Sequence, residues 1–250
     1  MKLIFVSLFL ILNSIYLPAQ DVNAIVKEAD RLEALPNETA ALAKFKEALR
    51  ISPTHIHALS KSSELCSRIG QRQTVAAQRD DYYKAAKIYA KTALLIDSTN
   101  SEANTAMAIM LGRSTLTKSG KEKVASAKDL KKHVDAALKS DPNNFLAWHV
   151  LGRWHYEISN LSALEKAAVK IFYGSFPPAS LKAGIVAFEK SEMLKPGFIL
   201  NYFEMAKAYH RNNQKTKAKT VLNQMLLMPN HTDDDPAIKK MAQALLQDWE

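Results

Sequence analysis

FLAWHVLGRWHY, Phe145 to Tyr156, places Trp148, Leu151, Gly152 and His155 at its fourth, seventh, eighth and eleventh positions. Spacings of three and four residues set these four side chains along one side of a helix. The glycine in that stripe marks a point where a second helix approaches closely. Leu-Gly-Arg also occurs 40 residues earlier, at Leu111 to Arg113. Each copy is followed by a polar stretch that ends in Glu-Lys, at Glu122-Lys123 and at Glu165-Lys166. A repeated catalytic loop and a repeated structural unit would both give this pattern.

The surrounding sequence favours the structural unit. Trp-x2-Leu-Gly-x2-aromatic is the opening of a tetratricopeptide repeat. The matching second half, a small residue, a large apolar residue and another small one before Pro, occurs several times. It reads Ala41, Phe45, Ala48, Pro53, then Leu130, Val134, Ala137, Pro142, then Gly184, Phe188, Ser191, Pro196. A last copy is Ala218, Leu222, Met225 and Pro229. Small residues let the two helices of a hairpin approach, larger ones fill the space between hairpins, and proline ends the second helix. The expected fold is therefore all-α, a tetratricopeptide-like α-α superhelix of about five hairpins. They fall at about 22–53, 54–97, 98–142, 143–196 and 197–229, within a single domain over 20–250. The second helix of the second hairpin reads as extended, and the first helix of the third as one turn longer. TDDDPAIKKMAQALLQDW supplies a capping helix over 236–249, with Asp234 or Asp235 as N-cap and Pro236 at the first turn.

The fourth hairpin carries an insertion near 157–178. Ser162 to Glu165 is a capping box that starts a short apolar helix through Phe172, ended by Gly174. SFPP then breaks the chain before the next helix. The polar stretches after both Leu-Gly-Arg copies thus read as connections between first and second helices.

At the N-terminus, Lys2, the apolar run Leu3 to Leu12 and the small-residue site LPAQ read as an export signal over 1–19. The run is short for a membrane span, which takes about 20 residues; a retained anchor is the alternative. The expected location is the periplasm or the exterior. The 34 basic residues less Lys2 leave 33 against 25 acidic ones, about +8. That balance favours anionic partners. No basic run of the nucleic-acid-binding kind occurs, so nucleic acid is not expected as a partner. Cys66 is the single cysteine and forms no intrachain disulfide.

Ala147 to Phe198, with Leu-Gly-Arg-Trp, the Leu-Ser-x-x-Glu-Lys insertion and Pro-Pro before the following helix, resembles the regulator of microtubule dynamics proteins. The resemblance is specific over about 98–215 and looser from about 60. It implies a helical-repeat domain without catalytic activity. Members of that family are linked to microtubules, and some to membrane contact sites and phospholipid binding. The N-terminus departs from the family's long anchor and coiled coil, which points to a bacterial exported relative. Microtubules would be absent from that compartment, so that activity is not carried over.

No chemistry of catalysis is written in the chain. The seven histidines have no metal-ligand spacing, and neither HExxH nor Gly-x-Ser-x-Gly occurs, so no metal, cofactor or enzymatic activity is expected. Cys66, between Leu65 and Ile69, reads as a buried small residue. One constellation remains. The residue after the small position 8 of a repeat faces the concave groove, and here it is Arg113, Arg153 and Lys207. Position 5 adds His149 and Phe203, and position 12 adds Tyr156 and His210. Arg forks and Tyr hydroxyls suit carboxylate or phosphate. The competing reading pairs each cation with an internal carboxylate, such as Glu157, Glu165 or Glu204, and makes Arg153 a brace for the insertion. The expected function is a non-enzymatic exported interaction module that binds an acidic protein or peptide segment. The alternative is an anionic phospholipid or small-anion carrier, with Ala167 to Tyr173 as a lid.

Overall fold

A computed structural model describes residues 21–114 and 120–249. The expected export signal over 1–19 lies outside the described residues. Twelve helices and no strand occupy the described part: α1 Val22–Glu33, α2 Glu38–Ile51, α3 Ile56–Gln71, α4 Ala76–Ile96, α5 Ser101–Ser114, α6 Gly120–Ser140, α7 Phe145–Asn160, α8 Ala163–Tyr173, α9 Leu181–Leu194, α10 Ile199–Arg211, α11 Lys215–Leu226 and α12 Asp235–Asp248. They pack as antiparallel pairs α1–α2, α3–α4, α5–α6, α7–α9 and α10–α11, and α12 lies against α10 and α11. α3, α5, α7 and α10 are neighbours in turn and form the inner wall.

Polar residues mark where six of the helices begin. Asp21, Asn37, His55, Asn100, Asn144 and Ser180 each accept a backbone N–H of the following helix's first turn. The residues that recur in the second helices are the best buried. Ala41, Phe45, Ala48, Val134, Ala137, Phe188, Ser191, Ala218, Leu222 and Met225 have no accessible surface. Apolar burial of this kind supplies most of the stabilisation of stacked hairpins.

The Leu-Gly residues are packing residues. A Cβ on Gly152 would lie 2.6 Å from Cδ1 of Phe188, and one on Gly184 would lie 3.1 Å from the carbonyl oxygen of Gly152. The α7 and α9 backbones therefore meet at a glycine from each side. The two Leu-Gly-Arg copies are not in register, however. Gly152 is eighth after the cap Asn144, whereas Gly112 is twelfth after the cap Asn100. A Cβ on Gly112 would meet Leu130, one turn before Val134.

α8 is built as its sequence predicts. Ser162 caps it, Glu165 returns its carboxylate to the Ser162 N–H, and Gly174 ends it at φ 72°. The helix buries no residue and rests on α6. Lys128 of α6 holds its end by donating to the carbonyls of Tyr173 and Gly174 at 2.7 and 2.8 Å. Glu165 is engaged in the capping box and Lys128 braces the end of the insertion, while Arg153 pairs with Glu157 and Glu204 at 3.9 Å and not with Glu165. Among the described residues no helix is long and apolar enough to cross a membrane.

Candidate functional site

The inner wall presents two rows of side chains, nine and thirteen residues past each helix cap, which share a face because four residues make about one turn. The ninth positions are Glu64, Ile109, Arg153 and Lys207, and the thirteenth are Arg68, Arg113, Glu157 and Arg211. Arg113 therefore sits one turn further along than Arg153 and Lys207, beside Arg68. It still belongs to the same cluster, because the charges of Arg68 and Arg153 both act on it.

The cations differ in how they are satisfied. Lys207 donates to Glu204 at 2.9 Å and lies over the rings of Tyr156 and Phe203. Arg153 is nearly half exposed, with Glu157 and Glu204 both at the long distance of 3.9 Å. Glu204 is buried, yet its carboxyl titrates below the usual range because Arg153 and Lys207 outweigh the burial. Arg211 lies on the Tyr156 ring, 4.5 Å from its centroid, and donates to the Tyr156 carbonyl at 2.8 Å. Arg113 has no carboxylate within ion-pairing distance among the described residues. Burial, with Arg68 and Arg153 nearby, holds its pKa down at about 10.

Two of the expected groove residues are core residues. His149 is buried, with Nδ1 3.0 Å from Oδ1 of Asn201 and its ring against Phe188 and Phe198. Burial pushes its pKa down to about 4, so it stays neutral and offers no charge to a ligand. Phe203 is buried in the core formed with α11 and α12. His210 stacks on Trp249 at 4.0 Å and 5°, which ties α10 to the end of α12. Tyr156 lies partly exposed beneath Arg211 and Lys207. Of the expected groove residues, Arg113, Arg153, Lys207 and Tyr156 lie outside the core, and Arg211 packs on Tyr156 beside them.

The N-terminal half of the wall is charged but internally neutralised. His57 bridges Asp30 at 2.9 Å and Glu102 at 2.8 Å, which raises its pKa to about 9 and ties α1, α3 and α5 together. Glu33 pairs with Lys61 at 3.1 Å and Arg68 at 2.6 Å. Fully buried Glu38 receives Arg68 at 3.2 Å and Arg72 at 2.6 Å. Arg72 also reaches Asp233 at 3.5 Å and Asp234 at 3.0 Å, on the turn before α12. Arg72 and its pairing with this turn were not singled out from the sequence. Their partners lie 161 and 162 residues away, and no local pattern announces such a pair.

Other chemistry is sparse. Cys66 is buried and its thiol is pushed up to about 11. No three His, Cys, Asp or Glu side chains converge to hold a metal among the described residues. A cavity of about 420 Å³ is lined by Trp148, Leu151, His155, Ala183 and Val186. Leu151 and His155 stand two residues either side of Arg153, so it opens on the opposite side of α7 from the cations.

The family model described as Regulator of microtubule dynamics protein 1-3 matches residues 25–250. Regulator of microtubule dynamics protein 3 of Bos taurus is 30% identical over 166 residues, 66% of this chain and 35% of that one. Regulator of microtubule dynamics protein 1 of Caenorhabditis elegans is 30% identical over 140 residues, 56% of this chain and 62% of that one. The chain therefore spans less than two thirds of either relative. The crystal structure of a thermophilic TPR protein of Thermus thermophilus superposes with a TM-score of 0.65 at 12% identity, over 90% of this chain and all of that one. That likeness shows the tetratricopeptide-type fold.

Proposed function

Since the chain belongs to the regulator of microtubule dynamics protein 1-3 family, we propose that it is a non-enzymatic helical-repeat scaffold whose inner groove binds an acidic segment of a partner protein. The observation that carries this reading is Arg113, a poorly solvated guanidinium between Arg68 and Arg153, whose foremost counter-charge, Asp234, is not within ion-pairing distance. A desolvated charge without a direct ion pair is costly, and a ligand carboxylate in contact with it offsets that cost. Arg153, with its carboxylates at 3.9 Å, adds a second open fork along the groove. The relatives' names refer to microtubules, and that activity remains theirs. Export to the periplasm or exterior is part of the proposal and rests on Lys2 and Leu3 to Leu12; N-terminal sequencing of protein from its own host tests it.

The groove is tested by fluorescence anisotropy with a fluorescein-labelled hexaglutamate peptide. Saturable binding is expected that weakens with salt and falls about tenfold or more in Arg113→Ala/Lys207→Ala, whereas exposed Lys132→Ala leaves it unchanged. Salt-insensitive binding, or none, refutes the reading.

A second reading, binding of anionic phospholipid, is favoured by one observation. Leu164, Ile171 and Phe172 of α8 are 80%, 75% and 71% exposed, on a helix that also carries Lys166 and Lys170. Flotation with phosphatidylglycerol vesicles separates the two readings: lipid binding is lost in Ile171→Ser/Phe172→Ser, which leaves hexaglutamate binding intact.

A further inference from the structure

The turn between α11 and α12 is built to present two carboxylates. Asp235 is buried and accepts from the backbone N–H groups of His231 and Thr232 at 2.7 and 2.8 Å, and from the Thr232 hydroxyl at 2.8 Å. This leaves Asp233 and Asp234 on the outside of the turn. Asp234 occupies the N-cap position of α12, yet its side chain makes no capping bond and its backbone is helical, φ −84° and ψ −22°. A capping aspartate stabilises a helix by accepting a free first-turn N–H. The Asp234 carbonyl accepts from the Ile238 N–H of α12, but its carboxylate makes no capping bond and accepts from Arg72 instead. A local rule broken in this way marks a residue placed for another purpose.

The receptor is aimed independently of the turn. Nη2 of Arg72 is fixed on buried Glu38 at 2.6 Å, which leaves Nη1 for Asp234 at 3.0 Å. The Asp234 carboxylate is also the foremost negative charge acting on Arg113. α12 itself packs on α10 and α11, and the bonds to Arg72 come from side chains of the turn that precedes it. Asp233, Asp234 and Arg72 are all partly exposed, so a competing carboxylate can reach the pair.

We propose that Arg72, with Arg113 as its neighbour in the groove, forms a receptor for two adjacent carboxylates, and that Asp233-Asp234, bonded to Arg72, occupies it as a tethered surrogate until an acidic segment of a partner displaces it. The inference rests on the groove reading above and specifies it, assigning a ligand subsite, an Asp or Glu pair, and a built-in competitor. A competitor that occupies the site most of the time lowers the apparent affinity by the unoccupied fraction.

The test titrates labelled hexaglutamate into wild type, Asp233→Asn/Asp234→Asn, and each in combination with Arg113→Ala, with melting curves confirming the fold. Removal of the surrogate charges is expected to tighten binding about tenfold at low salt, and Arg113→Ala to weaken binding in both backgrounds. Equal affinity of wild type and the Asn variant, with Arg113→Ala still weakening both, overturns the surrogate and leaves the groove reading standing. No salt-sensitive binding in any of them overturns both. Spin labels at Thr74→Cys and Asn230→Cys, in a Cys66→Ala chain, report displacement directly. The distance should lengthen at saturating hexaglutamate, and an unchanged distance refutes displacement even if the peptide binds.

Discussion

Gly152→Ala tests the helix crossing on which the fourth hairpin depends. The new Cβ would stand 2.6, 2.7 and 2.9 Å from Cδ1, Cε1 and Cγ of Phe188, all far inside van der Waals contact. Phe188 has no accessible surface and cannot swing away. α9 cannot slide aside without opening the approach of Gly184 to the Gly152 carbonyl. Overpacking of this severity costs about 1–3 kcal/mol. Ala in place of a mid-helix Gly returns up to about 1 kcal/mol. The net expectation is a loss of about 1–2 kcal/mol, a fall in Tm of about 3–6 °C for a chain of this length. Far-UV circular dichroism on heating, with urea titration beside it, reads this out. Gly112→Ala is the internal control, because among the described residues its Cβ meets the Cδ1 end of Leu130 at 3.2 Å, a side chain that can rotate. It should change stability by less than about 0.5 kcal/mol. In a Phe188→Leu background, Gly152→Ala should cost about 1 kcal/mol less than it does alone. Wild-type stability in Gly152→Ala, or equal losses at both glycines, would refute the steric argument.

Three further outcomes follow from the geometry. His57, with a pKa of about 9 between Asp30 and Glu102 against 6.5 unfolded, stabilises the fold fully below about pH 6.5 and loses that contribution as pH rises through about 9. The ceiling is about 3 kcal/mol at 1.36 kcal/mol per pH unit, and screening at the 43% and 46% exposed carboxylates leaves about 1 kcal/mol. Urea midpoints at pH 6 and pH 9.5 should show this loss in wild type and not in His57→Gln. Arg113→Met should raise stability by about 1 kcal/mol in urea, because it removes a desolvated charge with no ion-pair partner among the described residues, while hexaglutamate binding falls. Lys128→Met should speed chymotryptic cleavage at Phe172 and Tyr173 about fivefold without lowering the main melting transition, because α8 buries nothing and loses its C-terminal anchor.

What the sequence made legible was local or periodic. The small and large residues of the second helices, the Ser162–Glu165 box and the stop at Gly174 act within a few residues or recur at a fixed period, and pattern alone reveals them. The groove was harder, for two physical reasons. Leu111-Gly112-Arg113 and Leu151-Gly152-Arg153 are the same tripeptide at different heights on their helices, because each is set by its distance from Asn100 or Asn144. Matching letters therefore placed Arg113 a turn away from where the cap puts it. His149 and Phe203 sit at a repeat position that can face inward or outward, and their environment decides. Asn201 Oδ1 at 3.0 Å and the neighbouring rings draw His149 into the core. Arg72 and Asp234 were invisible because each reads as an ordinary helix-end residue, and only the curvature accumulated over the intervening hairpins brings them together.

That curvature bears on how the molecule comes apart. In an open stack of hairpins each unit leans only on its neighbours, so either end can fray while the middle holds. The bond from Arg72 to Asp234 converts the stack from a line into a circuit, with the second hairpin and the final helix as adjoining members. The turn before α12 then reports on the integrity of the second hairpin, and removal of residues 233–249 takes away a contact made 161 and 162 residues upstream as well as the capping helix.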